Sequence, residues 1–474
     1  MPPERRIYLL EPQKLSPETI AVTFAKTSRS PLSFAEIAEE LTNEKSAEFH
    51  EKWVVGYGHS SVAEHAVLHI ALENISRLAV ETIEGNRLAS YTEKSTRYQE
   101  WSAEDFFIPE ELANHALRDT YTHVCKSLFQ TYLDSLPVVK ALITKENPQQ
   151  PGESSARYEG RVRSQYIDSC RYLLPAASMA NVGVSINARA LEHALCKMLS
   201  HPLLEVQALG EEIKAVAQAE APTLVKYAAC NPHWQSAAAN LTTAAGAVTA
   251  APETRDWCQL VQFDEKSEMR VLAAALYRHG GLSFNDCLAH VQALSVEDRQ
   301  RLSDTLMGSL TRHDIPPREL EYAQFTVDLV LDQGAYFELK RHRMMTQTPQ
   351  ALTTDLGYAI PRDIERAGFL HPYQAAMETV REAYNTLADF NPHLASYVVP
   401  NAFNRRVLLT FNLRSADHLI NLRSAENAHY AMRRAAYRIA EQIQTVTPLL
   451  GKYLRLTPGQ TWQSIEEKHF LQTA

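Results

Sequence analysis

Hydrophobic and polar positions change period several times along the chain. From His65 to Leu78 the apolar residues Val67, Ile70, Leu72 and Ile75 follow a partly alternating pattern, which predicts a strand running into a helix. The stretches LHIALENI and YAQFTVDLVL both read this way. Elsewhere the period is helical. Ser33-Phe-Ala-Glu36 is a capping box that opens a helix with Ile37 and Leu41 on its apolar face, and Ser295 to Asp298 gives a similar start signal. Strands and helices in this order predict an α+β fold, helix-rich, rather than a regular βαβ succession.

The chain also repeats itself. Arg171-Tyr-Leu-Leu-Pro175 is followed by Asn187-Ala-Arg189 and His193; Tyr397-Val-Val-Pro400 is followed, at the same distance, by Asn412-Leu-Arg414 and His418. A recurring Asn-x-Arg-x-x-x-His at a fixed offset from an apolar-Pro element marks two tandem copies. Between them, residues 236–251 read SAAANLTTAAGAVTAA, uncharged and flanked by Pro222, Pro232 and Pro252. This predicts a first unit over 1–230, an Ala-rich linker over 231–260 and a second unit over 261–474, each unit with its own central sheet. A small-residue helix packed against a neighbour is the other reading of the Ala-rich stretch.

Length and charge narrow the function. A chain of 474 residues can bury two or more cores. A net charge of −9 argues against a nucleic-acid coat but leaves room for a local cationic pocket. No run is apolar enough to span a bilayer, and MPPERRIYLL has no signal-peptide core. Six cysteines without a CxxC pair read as reduced packing residues, Cys125 among them in a helical stretch, and predict a cytoplasmic protein.

The chemistry concentrates in a few segments. Glu93, Ser95 and Arg97 alternate, so in an extended segment they face one side. An acceptor, a hydroxyl and a guanidinium together suit a phosphorylated ligand, although a polar strand edge gives the same pattern. Lys340-Arg341-His342-Arg343 would repel one another unless an anion such as a pyrophosphate joins them; a solvated basic turn is the plainer alternative. Arg and His four apart share a helix face, with Asn412 placed as cap or ligand contact. His65 and His69 have a spacing zinc can bridge, and His59 and Glu64 lie near, but HExxH is absent and no cysteine is close, so no metal is expected. There is no GxGxxG, P-loop or GxSxG motif.

Together these segments resemble the flavin-dependent thymidylate synthases. That family's signature runs GHxSxxEH, RHRxxSxxExSxRY, an Arg before an apolar-Pro element, and NxRxxxHFxxLR. The first copy matches Gly58 to His65, then Arg87, Ser90, Glu93, Ser95, Arg97, Tyr98, Arg171, Asn187, Arg189 and His193. Its RHR triplet reads Gly85-Asn86-Arg87, and Lys197-Met198 replaces the final Leu-Arg. The second copy keeps Arg341-His342-Arg343 and Leu422-Arg423 but lacks ExSxR, has Ser396 in place of Arg171, and reduces GHxSxxEH to a stretch ending Glu321-Tyr322. Glu338 and Thr82 stand where the family has a glutamine.

The resemblance implies dUMP methylation with FAD, methylenetetrahydrofolate and NADPH, at a site that in the family lies between subunits of a tetramer. It implies a composite site here. Glu93, Ser95, Arg97, Arg171 and Arg423 would hold dUMP, with Arg423 and Ser95 as candidate catalytic residues. Ser61, Arg341, His342, Arg343, Asn412, Arg414, His418, Asn187, Arg189 and His193 would be the FAD contacts. The reciprocal site would be inactive, and a homodimer would imitate the tetramer. A flavoenzyme acting on another pyrimidine nucleotide and a non-catalytic flavin- or nucleotide-binding protein are the alternatives.

Overall fold

The computed structural model describes residues 8, 10, 14–28, 30–56, 60–99, 101–249, 256–311 and 313–471. Gly58 and His59 of the first motif lie outside them. The chain forms two compact α+β units, and their boundaries cut across the sequence copies. One comprises 1–95, 106–118 and 177–251, the other 96–105, 119–176 and 252–474.

The first unit is built on strands β1 (Val67–Ser76), β2 (Ala89–Glu93) and β3 (Met179–Asn187), antiparallel in the order β1-β3-β2. In the second unit, β4 (Cys258–Phe263), β5 (Gln324–Asp332), β6 (Thr346–Pro349) and β7 (Asn404–Asn412) form an antiparallel sheet ordered β4-β5-β7-β6. Strands β5, β7 and β6 repeat the order of β1, β3 and β2, and β4 is added at the edge. The registers agree: Val67 faces Asn187, and Gln324 faces Asn412. β1 carries one residue more than β5, absorbed by a bulge between Leu72 and Ile75. There Asn74 takes φ +57 and its amide donates to Asn181 Oδ1 at 3.0 Å.

Both strand-to-helix predictions hold: β1 runs into the helix Arg77–Glu84 and β5 into Gln333–Leu339. So do the capping box at Ser33 and the cap at Ser295. The Ala-rich stretch differs from the flexible reading. Pro232–Ala245 is a helix, capped by Asn231, yet it buries none of its residues. Alanine's high helix propensity explains its form, and its exposure fits a helix whose large apolar side chains are only Trp234 and Leu241, too few to make a buried face. The six cysteines are free thiols; Cys125 is buried in the long helix Arg118–Glu146. Among the described residues no helix is long and apolar enough to cross a membrane.

In the second unit the two apolar-Pro elements pair with each other. Pro175 and Pro400 form an antiparallel bridge, Ala402 N donates to Tyr172 O, and Ala176 N donates to Val399 O. Tyr172, Tyr397, Phe403 and Tyr373 are fully buried around this region. The repeat therefore marks a place where the two copies share one core.

Equivalent helix caps differ chemically. Ser76 caps the helix after β1 and donates to Glu205 Oε2 at 2.6 Å. Asp332 caps the helix after β5, with Oδ1 accepting from Ala335 N at 2.8 Å, while Oδ2 is buried without a partner. Burial pushes the Asp332 carboxyl up to about 6. The folded state thus holds this proton more tightly than the unfolded chain, whose carboxyl titrates near 3.8. Its stabilising contribution is complete below about pH 4 and is lost as pH rises through about 6. Asp332→Asn keeps a good cap. Relative to wild type it should gain about 2 kcal/mol between pH 4 and 7. Urea denaturation at the two pH values measures this, and a constant difference would refute it.

Candidate functional site

A dense charge cluster lies in the second unit, on five elements. The helix Ser155–Cys170 ends in a 3-10 turn, Arg171–Leu173, which puts Asp168 and Arg171 on one face. Arg97 sits on a 3-10 turn, Thr96–Tyr98. Glu338 lies in the last turn of Gln333–Leu339, and Arg423 is the last residue of the helix Leu413–Arg423.

These groups interlock. Arg97 donates Nε to Asp168 Oδ1 at 2.9 Å and Nη2 to Oδ2 at 2.6 Å. Arg171 Nη2 is 3.2 Å from Asp168 Oδ1 and 3.8 Å from Glu338 Oε1. Neither approach has hydrogen-bond geometry, so this buried nitrogen makes no hydrogen bond among the described residues. Arg423 donates Nη1 to Glu338 Oε2 at 2.9 Å and Nη2 to the Glu338 carbonyl at 3.1 Å. Its Nε donates to His342 Nε2, also at 2.9 Å. Glu338 is therefore the point where an arginine of the first copy and one of the second converge.

Burial and mutual repulsion tune the cluster. Burial works against the charge of Asp168, but Arg171 and then Arg97 outweigh it and hold the carboxyl below its usual range. Burial, with Arg423 and His418 beside it, lowers His342 to about 3, so its ring is neutral and accepts from Arg423. Burial, and less so Arg341, lowers the Arg423 guanidinium, against the pull of Glu338.

Several sequence-predicted residues are placed differently from expectation. Strand β2 ends at Glu93, so the alternation does not extend to Arg97. Glu93 belongs to the first unit, where it pairs with Arg77 at 3.4 Å, and Ser95 is exposed just beyond the strand. The two-donor edge of Arg97 faces Asp168. The KRHR segment is not four exposed cations: Lys340 is buried 4.7 Å from the Phe337 ring centre, and His342 is buried against His418. Arg341 is exposed and Arg343 half-buried.

The Asn and Arg of Asn-x-Arg-x-x-x-His act alike in both copies, whereas the His differ. Asn187 and Asn412 cap their helices. Arg189 pairs with Glu64, and Arg414 pairs with Glu321 at 2.9 Å. That pairing shows Glu321 to be the surviving counterpart of Glu64. His193 meets Trp234 edge-on, and Ser61 is exposed on the 3-10 turn Ser60–His65. Among the described residues no group of three or more His, Cys, Asp or Glu is placed to hold a metal ion. His69 instead bonds Ser185 at 2.7 Å.

Sequence reasoning missed Asp168 and the role of Glu338. Asp168 was detectable as an acid three residues before Arg171 in a helical stretch. Glu338 was visible only as a departure from the glutamine of similar chains.

Comparison with known proteins agrees with the duplication. The chain is 30% identical over 433 residues to a UPF0159 protein of Chlamydia muridarum, covering 88% of this chain and 82% of that one. It is 27% identical over 217 residues to a flavin-dependent thymidylate synthase of Clostridium tetani, covering 45% and 82%. A crystal structure of a UMP/dUMP methylase from Streptomyces cacaoi aligns with 42% of this chain and 97% of its own, at 18% identity and a TM-score of 0.35. The model of the thymidylate synthase complementing protein family matches residues 10–223 and again 259–449. The chain belongs to that family and carries its unit twice.

Proposed function

We propose that the protein is a flavin-dependent methylase of a pyrimidine nucleotide, forming dTMP from dUMP, methylenetetrahydrofolate and NADPH. The observation that carries this reading is the convergence of Arg171 and Arg423 on Glu338. Arg171, with a buried Nη2 that makes no hydrogen bond, is the first choice for the nucleotide phosphate, and Arg97 adds charge beside it. Arg423 would donate to O2 of the pyrimidine, where negative charge builds as C5 becomes nucleophilic. The neutral His342 holds Nε of Arg423 and so fixes the orientation of its guanidinium plane.

The donor set suits a flavin dinucleotide in part. Arg341 and Arg343 are guanidinium groups, the donor type that grips a diphosphate; Asn412 caps a helix, Arg414 holds an ion pair and His342 accepts from Arg423. When bound, the flavin supplies the redox step; the protein's part is to orient and charge-stabilise the nucleotide.

Glu338 fits either of two pyrimidine rings. A carboxylate accepts but cannot donate, so it suits a ring edge bearing N–H, either N3–H of uracil or the 4-amino group of cytosine. Product assays with dUMP and dCMP separate the two. Purified protein should be yellow, bleach with NADPH, and recolour when methylenetetrahydrofolate and the accepted nucleotide are added. A colourless, redox-silent protein would reject the proposal.

A further inference from the structure

The Asp168 carbonyl lies in the last turn of the helix Ser155–Cys170, where carbonyls run out of partners within the helix. Two neighbouring side chains reach it. His429 Nε2 and Tyr430 Oη each lie 3.4 Å from that oxygen, and both residues are buried. His429 Nδ1 accepts from Ala431 N at 3.3 Å and so caps the helix Tyr430–Val446. That leaves the ring hydrogen on Nε2, the nitrogen that faces Asp168. Burial, and then Arg171, lower the ring to about 4 and keep it neutral. The two donors thus fasten the backbone between the carboxylate that holds Arg97 and the guanidinium beside Glu338.

The last helix of the chain, Trp462–His469, places Tyr430 in turn. The Tyr430 ring stacks on His429 at 4.2 Å between centres and on His469 at 4.7 Å, the second pair within 2° of parallel. Phe470 meets it edge-on at 5.2 Å. Backbone contacts anchor this end. Arg362 Nη2 donates to Phe470 O and Leu471 N donates to Ile360 O, both at 2.9 Å, and Pro361 forms a bridge with Phe470. The second match to the family model stops at residue 449, so His469 and Phe470 support the site from outside the matched unit.

We propose that His429 and Tyr430, backed by His469, are positioning residues for the nucleotide phosphate: they hold the Asp168 carbonyl and so set the turn on which Arg171 stands. This rests on the reading that Arg171 takes that phosphate. A turn fastened before the ligand arrives has less freedom left to lose on binding, and affinity gains by the difference.

Calorimetric titration of the full chain with dUMP tests this. Tyr430→Phe keeps the stack and loses the hydroxyl, and should weaken dUMP about three- to tenfold, the range for one ordinary hydrogen bond. His469→Ala removes the stack and should do likewise, whereas His469→Phe keeps a flat ring there and should bind as wild type does. In an Arg171→Ala background, Tyr430→Phe should change dUMP affinity by less than about twofold, because the residue it positions is gone. An equal loss in both backgrounds would make Tyr430 a support of the fold at large and would overturn the proposal. So would wild-type affinity in Tyr430→Phe, or the same loss in His469→Phe as in His469→Ala. A wild type that binds no dUMP would sink the proposed function together with this inference; a wild type that binds it, with variants that bind equally well, would sink this inference alone.

Discussion

Alanine at position 423 should lower exchange of the C5 hydrogen of the accepted pyrimidine nucleotide by roughly 10²–10³-fold, the usual loss when one preorganised donor to a developing anion is removed. Flavin should remain bound, because the exposed Arg341 and half-buried Arg343 are untouched. The structure adds a second expectation. Arg423 makes an ion pair with Glu338 and receives a fixed orientation from His342, so its removal leaves a carboxylate and a neutral imidazole without their donor. Leaving the Glu338 carboxylate with only the more distant Arg171 should cost stability as well, on the order of 1–3 kcal/mol. Tritium release from labelled nucleotide, alongside a urea midpoint at the assay temperature, separates the two effects. Retained exchange in a folded variant would reject the role of Arg423.

Alanine in place of Arg171 should act on binding instead. The Michaelis constant for the nucleotide should rise about 10²-fold, from the loss of a charge-assisted phosphate contact of roughly 1.5–3 kcal/mol. Turnover at saturation should change far less, since the phosphate contact is the same before and during reaction. Asp168 keeps its two bonds from Arg97, so the fold loses less than it would with both cations gone. Steady-state kinetics decide the matter. A fall in turnover without a change in the Michaelis constant would place Arg171 away from the phosphate.

The sequence made some of this legible and concealed the rest, for physical reasons. Strand-to-helix transitions at β1 and β5 were readable because the period of burial changes there and a capping residue follows. Asn187 and Asn412 were readable as helix starts. What the pattern could not show was the route of the chain between units. Residues 119–176 belong by sequence to the first copy and pack in the second unit, because Tyr172 and Pro175 find their backbone partners at Ala402 and Pro400. Such pairings join residues far apart in sequence and leave no periodic trace. The basic tetrad misled for a related reason. Lys340 and His342 are buried by tertiary packing, and their charge type gives no hint of it. Asp168 and Glu338 matter through the arginines they hold, which only coordinates reveal.

The central idea is that one chain contributes both an early and a late arginine to the same nucleotide. Co-expression of Arg171→Ala and Arg423→Ala chains, with tritium release measured on the co-purified mixture, tests it most directly. Because both residues reach Glu338 within one chain, release measured at nucleotide far below the Michaelis constant of Arg171→Ala should stay at the average of the two variants alone. Recovery of a substantial fraction of wild-type release would show that the two arginines work in different sites or across chains, and would contradict the account.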